Sequence, residues 1–458
     1  MLMQSQTRWS IPPPSAMSNP ALIEMLAASL LAGEATPEQV FARASHTLGR
    51  EWPWLRTLAQ RFVKAIAGRT RTRHRDAVNF LRRDRGFQYA CSKHRDELAV
   101  KHWRLEPPQM QPAAAAAGWN VPPIVTVGAL AEWLRVPISE LEWFADLKAL
   151  DYKQHVPRLS HYHYRILSKK SGTIRLIEAP KTRLKELQRQ ILSGILEKIP
   201  SHAAVHGFVK ARSVKTFAAP HAGKRVVLRM DLKDFFPSFS GSRIQALFRT
   251  LGYPEAVADS LGGICTTATP RAIWKAADWD VNPTYVREAR ALHARPHLPQ
   301  GAPTSPALAN ISFYRADCRL AGLAAAAGAA YTRYADDLVF SGGEAFARGV
   351  ERFSTHVAAI LIEEGFHVQH RKTRIMRQAV RQHLAGLVVN HHQNVIRADF
   401  DRLKATLTNC VRHGPEGQNR AAHPCFREHL SGRVGFVEMI HPAKGKRLRA
   451  IYEQIRWE

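Results

Sequence analysis

The sequence predicts an α+β fold, a sheet backed by helices, and three observations carry that reading. Two runs rich in β-branched and aromatic residues, "KRVVLRMD" and "YTRYADDLVFSG", have strand character and either end on aspartate or turn at it. Other segments place apolar residues at helical spacing, one through Ile244, Leu247, Phe248 and Leu251, another through Phe346, Val350, Phe353, Val357 and Ile360. Strands and helices alternate, but without the short, regular βα rhythm of a barrel or a doubly wound sheet.

At 458 residues the chain exceeds one ordinary core, so at least two packed units are expected. Lysine and arginine number 66 against 38 acidic residues, a formal charge of +28. A field of that size points to a polyphosphate partner, nucleic acid first. An anionic membrane is the competing partner, yet no apolar run is long enough to span a bilayer and the basic residues are dispersed. The cysteines Cys91, Cys265, Cys318, Cys410 and Cys425 form no CxxC pair, which argues against a zinc ribbon or a disulfide framework. The early run "ALIEMLAASLLAG" is interrupted by Glu24 and preceded by "IPPPSAMSNP" instead of a basic region. It does not read as a signal peptide, and a cytoplasmic location is expected.

In chain order, the stretch Gly68 to Phe87 carries Arg69, Arg71, Arg73 and Arg75 at alternate positions, either a solvated surface or a grip on phosphate. The segment "LEPPQMQPAAAAAGWNVPP" reads as a Pro/Ala linker, which sets residues 1–124 apart as a basic, mainly helical N-terminal extension. After it, "VTVGALAEWLRVPISELEWFADL" makes two short helices around a turn at Val136 to Ser139. Glu140, Glu142 and Asp146 on the second would repel phosphate, so the pair is a packing element and not a DNA reader. "KKSGTIRLIEAP" is a hairpin turning at Ser171 and Gly172. Leu184, Leu187, Ile191 and Ile195 mark a core helix stopped by Pro200. The strand into Asp231 follows, then the Ile244 helix with Gly252 and Pro254 as its stop.

Asp336 and Asp337 are adjacent, and burying both uncompensated would cost several kcal/mol or raise their pKa values. Something cationic must face them: arginine, or a divalent ion of the kind held by one or two carboxylates plus substrate phosphates. Asp231, at the end of its own strand, would bring a third acid to the same sheet edge. Such a trio suits two metal ions about 4 Å apart that clamp an in-line phosphoryl displacement.

These residues also carry a family resemblance. "MDLKDFFPSF", "LPQGAPTSP" and "YADD", in that order, resemble the A, B and C motifs of reverse transcriptases. "RLIEAPKTRLKELQRQIL" and "HGFVKARSVKTFAAPH" look like the fingers, "GFHVQHRKTR" like motif D, and "LAGLVVN" like motif E. The spacing is most similar to the bacterial retron type. The resemblance implies a right-hand polymerase architecture, with fingers at 125–225, palm at 226–390 and thumb at 391–458. It implies RNA-directed DNA synthesis on a cognate noncoding RNA that serves as template and primer, with dNTPs as substrates, an RNA–DNA duplex as product, and two Mg²⁺ held by Asp231, Asp336 and Asp337. It further implies a role in antiphage defence with an effector protein. Reverse transcriptases of other bacterial lineages, an RNA-dependent RNA polymerase and a catalytically silent RNA-binding scaffold are the alternatives.

Carried over residue by residue, Phe236 would be the aromatic plate that excludes a ribose 2′-hydroxyl, with a core phenylalanine as the plain alternative. Gln300 and Gly301 would approach the incoming nucleotide, Arg175 would meet its triphosphate, and Lys372 would face the leaving pyrophosphate. His221 and Gly386 would belong to RNA recognition, and Arg397, Arg402, Lys404 and Arg412 would track the duplex backbone. Two departures bear on the RNA: Phe217-Ala218-Ala219-Pro220 precedes His221 where the family has Asn-Ala, and Leu384-Ala385-Gly386 stands where it has Val-Thr-Gly. Ala268 to His297 looks like an insertion between motifs A and B, whose Trp274 and Trp279 would stack bases or, as favoured here, anchor it to the core.

Overall fold

The computed structural model describes residues 20–32, 35–67, 72–102, 109–154, 156–168, 174–275 and 283–457. Two compact units divide at Met110 and Gln111. Among the described residues the first contains five helices: α1 (Pro20–Leu31), α2 (Pro37–Leu48), α3 (Pro53–Ile66), α4 (His74–Arg83) and α5 (Arg85–Lys93). Prolines open the first three, where the missing N–H costs no helical bond. Leu26, Val40, Leu55, Leu58, Phe62, Leu81 and Phe87 form their common core. Arg43 is buried by donating to the C-terminal carbonyls of α1, from Nε to Ser29 at 3.0 Å and from Nη2 to Leu30 at 3.1 Å. Arg69 and Arg71 lie outside the described residues, and Arg75 is exposed on α4.

The second unit starts earlier than the linker composition suggests. Gln111 N–H donates to Gly252 at 2.9 Å and Ala113 N–H to Thr250 at 3.0 Å, so residues 111–124 are docked here and not suspended between units. Next come α6 (Val127–Leu134), α7 (Ile138–Ala145) and the short α8 (Leu150–Lys153). α6 and α7 are the expected pair of short helices, and they bury Leu130, Leu134 and Leu141. Glu140 pairs with Arg183 at 2.7 Å, in keeping with a packing element. Strands β1 (Tyr162–Ser168) and β2 (Ile174–Pro180) form an antiparallel ribbon, whose expected turn at Ser171 and Gly172 lies outside the described residues.

Then follow α9 (Thr182–Gly194), α10 (Val214–Ala218), β3 (Val226–Asp231), α11 (Gly241–Thr250), α12 (Glu255–Cys265), α13 (Pro283–His293), α14 (Ser305–Ser312) and α15 (Tyr314–Ala326). The hairpin β4 (Ala330–Tyr334) and β5 (Asp337–Gly342) precedes α16 (Glu344–Glu363) and β6 (Arg374–Arg377). β3 to β6 make one antiparallel sheet in the order β4-β5-β3-β6. Five of the six β3 residues are buried, as expected of a strand covered on both faces. α16 turns Phe346, Val350, Phe353 and Val357 inward, and Phe239, Phe313 and Phe366 interlock at centroid distances of 4.7–5.1 Å. The short strands β7 (His383–Leu384), β8 (Leu387–Val388) and β9 (Asn394–Val395) lead into α17 (Arg397–His413), α18 (Phe426–Ile440) and α19 (Pro442–Tyr452). Leu403, Leu407, Val434 and Leu448 of these helices share one apolar cluster with Val227 of β3 and Val339 of β5. No helix among the described residues is long and apolar enough to cross a membrane.

Candidate active site

Antiparallel pairing sets Asp231, the last residue of β3, directly opposite Asp337, the first of β5. Directly opposed residues point to the same face, so the sheet itself forces two like charges together. Asp336 joins them from the two-residue turn between β4 and β5, and its carbonyl accepts the Leu232 N–H at 3.0 Å. Ala335 completes that turn at φ 54°, a left-handed conformation that normally falls to glycine.

Several buried groups hold the turn. Arg333, fully buried on β4, pairs with Asp317 at 2.7 Å and donates from Nη1 to the Ala335 carbonyl at 3.1 Å and to Asn310 at 3.0 Å. Its guanidinium lies 4.6 Å from the centroid of Phe313. The segment from Ala204 to Gly207 runs alongside, with His206 N–H donating to the Arg333 carbonyl at 2.8 Å. A Cβ on Gly207 would stand 2.8 Å from the Ala335 nitrogen, so only glycine permits this approach.

Of the two forms of charge compensation raised by the sequence, basic side chains reach two members of the trio. Arg229, two residues before Asp231 on β3, grips Asp337 through Nε and Nη2 at 2.7–2.9 Å. Lys372 places its ammonium 2.9 Å from both oxygens of Asp231. Asp336 makes no ion pair among the described residues. Burial, then the charges of Asp231 and Asp337, hold its pKa above the ordinary aspartate value. Asp337 is raised too, because burial outweighs the opposing effect of Arg229. Arg229, Arg333 and Gly207 were not anticipated. For the two arginines the signal was present: a cation at an alternate position of an otherwise apolar strand needs a buried acid.

The other expected residues fall into three groups. Phe236 is half-buried, with its ring 5.4 Å from that of Phe235, and is therefore not a core phenylalanine. Gln300 and Gly301 pack on β2: the Gln300 carbonyl accepts the Glu178 N–H at 2.9 Å, and Gly301, at φ 139°, would place a Cβ 2.9 Å from the Glu178 carbonyl oxygen. Arg175 is exposed on the same strand. Gly386, at φ 84°, sits exposed in the β7–β8 turn, and Arg397, Arg402, Lys404 and Arg412 are exposed on α17.

His221 requires a correction. It is completely buried, with Nδ1 2.7 Å from Ser341 Oγ and Nε2 2.7 Å from Thr332 Oγ1, so its ring has no surface to offer an RNA. Thr332 spends its own proton on the Phe217 carbonyl at 3.0 Å, which makes Nε2 the donor and Nδ1 the acceptor from Ser341. Burial, then nearby cationic groups, lower its pKa to about 3. His221 is thus a neutral clamp between β4 and β5. Trp274 is buried against His293, an anchor for the insertion, while Trp279 lies outside the described residues.

Comparison with known proteins agrees with this architecture. Residues 167–389 match the family described as reverse transcriptase (RNA-dependent DNA polymerase). The retron Mx65 reverse transcriptase of Myxococcus xanthus is 41% identical over 303 residues, covering 65% of this chain and 66% of the relative. The retron Mx162 reverse transcriptase of the same organism is 36% identical over 332 residues, covering 69% and 64%. The chain therefore spans slightly less than two thirds of either relative's length. The retron Ec73 reverse transcriptase of Escherichia coli is 30% identical over 313 residues, and 87% of its length is covered. The chain belongs to the retron-type reverse transcriptase family.

Proposed function

We propose that this chain is an RNA-directed DNA polymerase that copies a cognate noncoding RNA into single-stranded DNA joined to that RNA. The observation that carries the reading is the convergence of Asp231, Asp336 and Asp337 on one sheet edge in a chain of formal charge +28. A scaffold that merely held RNA would gain nothing from acids that repel its ligand. The donor set fits Mg²⁺: it is all carboxylate oxygen, and Asp336, with no ion pair among the described residues and with a raised pKa, is a charge in need of a cation. Two such ions, held by the three aspartates, would stabilise the attacking and leaving oxygens of an in-line phosphoryl transfer.

The chain's own groups supply the rest. Arg229 fixes the Asp337 carboxylate in one orientation. Lys372, beside Asp231, would give a proton to the departing pyrophosphate. Gln300 and Gly301 form a wall for the incoming deoxynucleotide, Phe236 screens its sugar, and Arg175 meets its triphosphate. Arg397, Arg402, Lys404 and Arg412 follow the backbone of the RNA–DNA duplex, and Gly386 lies on the same route. In keeping with the family, the primer is a guanosine 2′-hydroxyl of the cognate RNA, and the product serves antiphage defence together with an effector protein.

Primer extension by the purified full chain with Mg²⁺, dNTPs and an RNA template tests the reading. The Asp336→Ala, Asp337→Ala double variant is expected to lose at least about 100-fold in incorporation rate. Equal incorporation by variant and parent would overturn it.

A further inference from the structure

A second cluster of metal-ligating groups lies apart from the three aspartates, where the insertion meets β2. Glu178, His293 and His297 are all buried and present one donor atom each, and these atoms all lie within 4.8 Å of one another. Glu178 comes from β2, His293 is the last residue of α13, and His297 immediately precedes the Leu298 to Pro306 segment.

The neighbours of each side chain leave the right atoms available. Nδ1 of His297 lies 2.8 Å from the Arg295 carbonyl, and Nδ1 of His293 lies 2.8 Å from the Ala289 carbonyl. A carbonyl only accepts, so both Nδ1 atoms carry protons and Nε2 of each ring is the atom left to face the cluster. His297 Nε2 is 2.9 Å from Glu178 Oε2, while the other carboxylate oxygen is held by Thr269 Oγ1 at 2.7 Å. Every potential ligand thus has an outer partner that fixes its orientation, the arrangement that surrounds protein-bound metals.

We infer that Glu178, His293 and His297 form a zinc site that fastens the insertion to the strand behind the Gln300–Gly301 wall. Two imidazole nitrogens and one carboxylate oxygen suit Zn²⁺ far better than Mg²⁺, whose preference is for oxygen. Without metal the same cluster is a buried ion pair. Burial alone would raise Glu178 and lower His297, but each reverses the other, so the Glu178 pKa falls and the His297 pKa rises. Zinc takes the place of the proton on His297 Nε2, and binding releases about one proton.

The test uses the full chain, stripped with chelator, incubated with Zn²⁺ in excess Mg²⁺ and passed through gel filtration before metal analysis. The parent is expected to retain one zinc per chain and to gain at least ~3 °C in Tm. His293→Gln and Glu178→Gln lose that zinc, whereas Asp336→Asn, Asp337→Asn retains it. Circular dichroism checks the fold of each variant, and Co²⁺ in the parent gives the visible absorption of a nitrogen–oxygen site completed by solvent beside the three protein ligands. Failure of the parent to retain zinc, or equal retention by a folded His293→Gln variant, overturns the assignment. The measurement does not depend on DNA synthesis, so it stands or falls separately from the polymerase reading.

Discussion

At the scale of single residues, the site is an electrostatic conflict that the protein resolves only in part. Asp231 has Lys372 and Asp337 has Arg229, but Asp336 faces two other acids. Its pKa is raised, so the native state binds its proton more tightly than the unfolded chain. The associated stability is present below about pH 4 and is lost as pH rises towards neutrality. Asp336→Asn is therefore expected to raise Tm by a few degrees at pH 7 in chelator, as measured by scanning calorimetry, while abolishing incorporation. The aspartates themselves were legible because acids are scarce in this chain and these interrupt apolar strands. The strand arginines signalled that buried acids must face them, but which acid meets which cation was not legible: Lys372 meets Asp231 across 141 positions and Arg229 meets Asp337 across 108, and no local pattern encodes such distances.

At the scale of elements, the β4–β5 hairpin depends on groups that never face solvent. His221, with a pKa of about 3, stays neutral in the native state while the unfolded chain takes up a proton below about 6.5. The unfolded state binds more protons throughout that window, so stability falls as pH drops from about 6.5 towards 3. Urea midpoints at pH 7 and pH 5 should show this loss, and His221→Gln should flatten the difference while costing about 1–3 kcal/mol at pH 7. Gly207→Ala drives a methyl group against the Ala335 nitrogen and shifts the turn that carries Asp336. A fall of about 10–100-fold in kcat, with the Tm changed much less, is the expected result in steady-state primer extension. The β4–β5 hairpin and β3 were readable from their β-branched and aromatic content and α9, α11 and α16 from apolar spacing, whereas β6 and the helices α17 to α19 were not read as elements. The buried place of His221 was not legible, because a lone histidine gives no sign that two hydroxyls wait for it on neighbouring strands.

At the scale of the whole molecule, charge is segregated by role. The three aspartates occupy one sheet edge, while the exposed cations of α17 line a helix whose other face, through Leu403, Leu407 and Cys410, is buried. Arg402→Ala and Lys404→Ala should each lower the slope of log affinity for an RNA–DNA duplex against log salt by roughly 0.7–0.9. Exposed positions of this kind should leave stability within about 0.5 kcal/mol of the parent, as read by chemical denaturation. Length foretold more than one unit. The boundary at residue 110 was hidden because a run rich in proline and alanine reads as a tether even where it is docked.

The rung that joins Asp231 to Asp337 has a consequence beyond alignment. Because neighbouring positions on a strand face opposite ways, a slip of one residue between β3 and β5 would send one carboxylate to the far side of the sheet. A mispaired chain would be chemically mute however compact it became, so the yield of active molecules after refolding doubles as a gauge of how faithfully those two strands find each other.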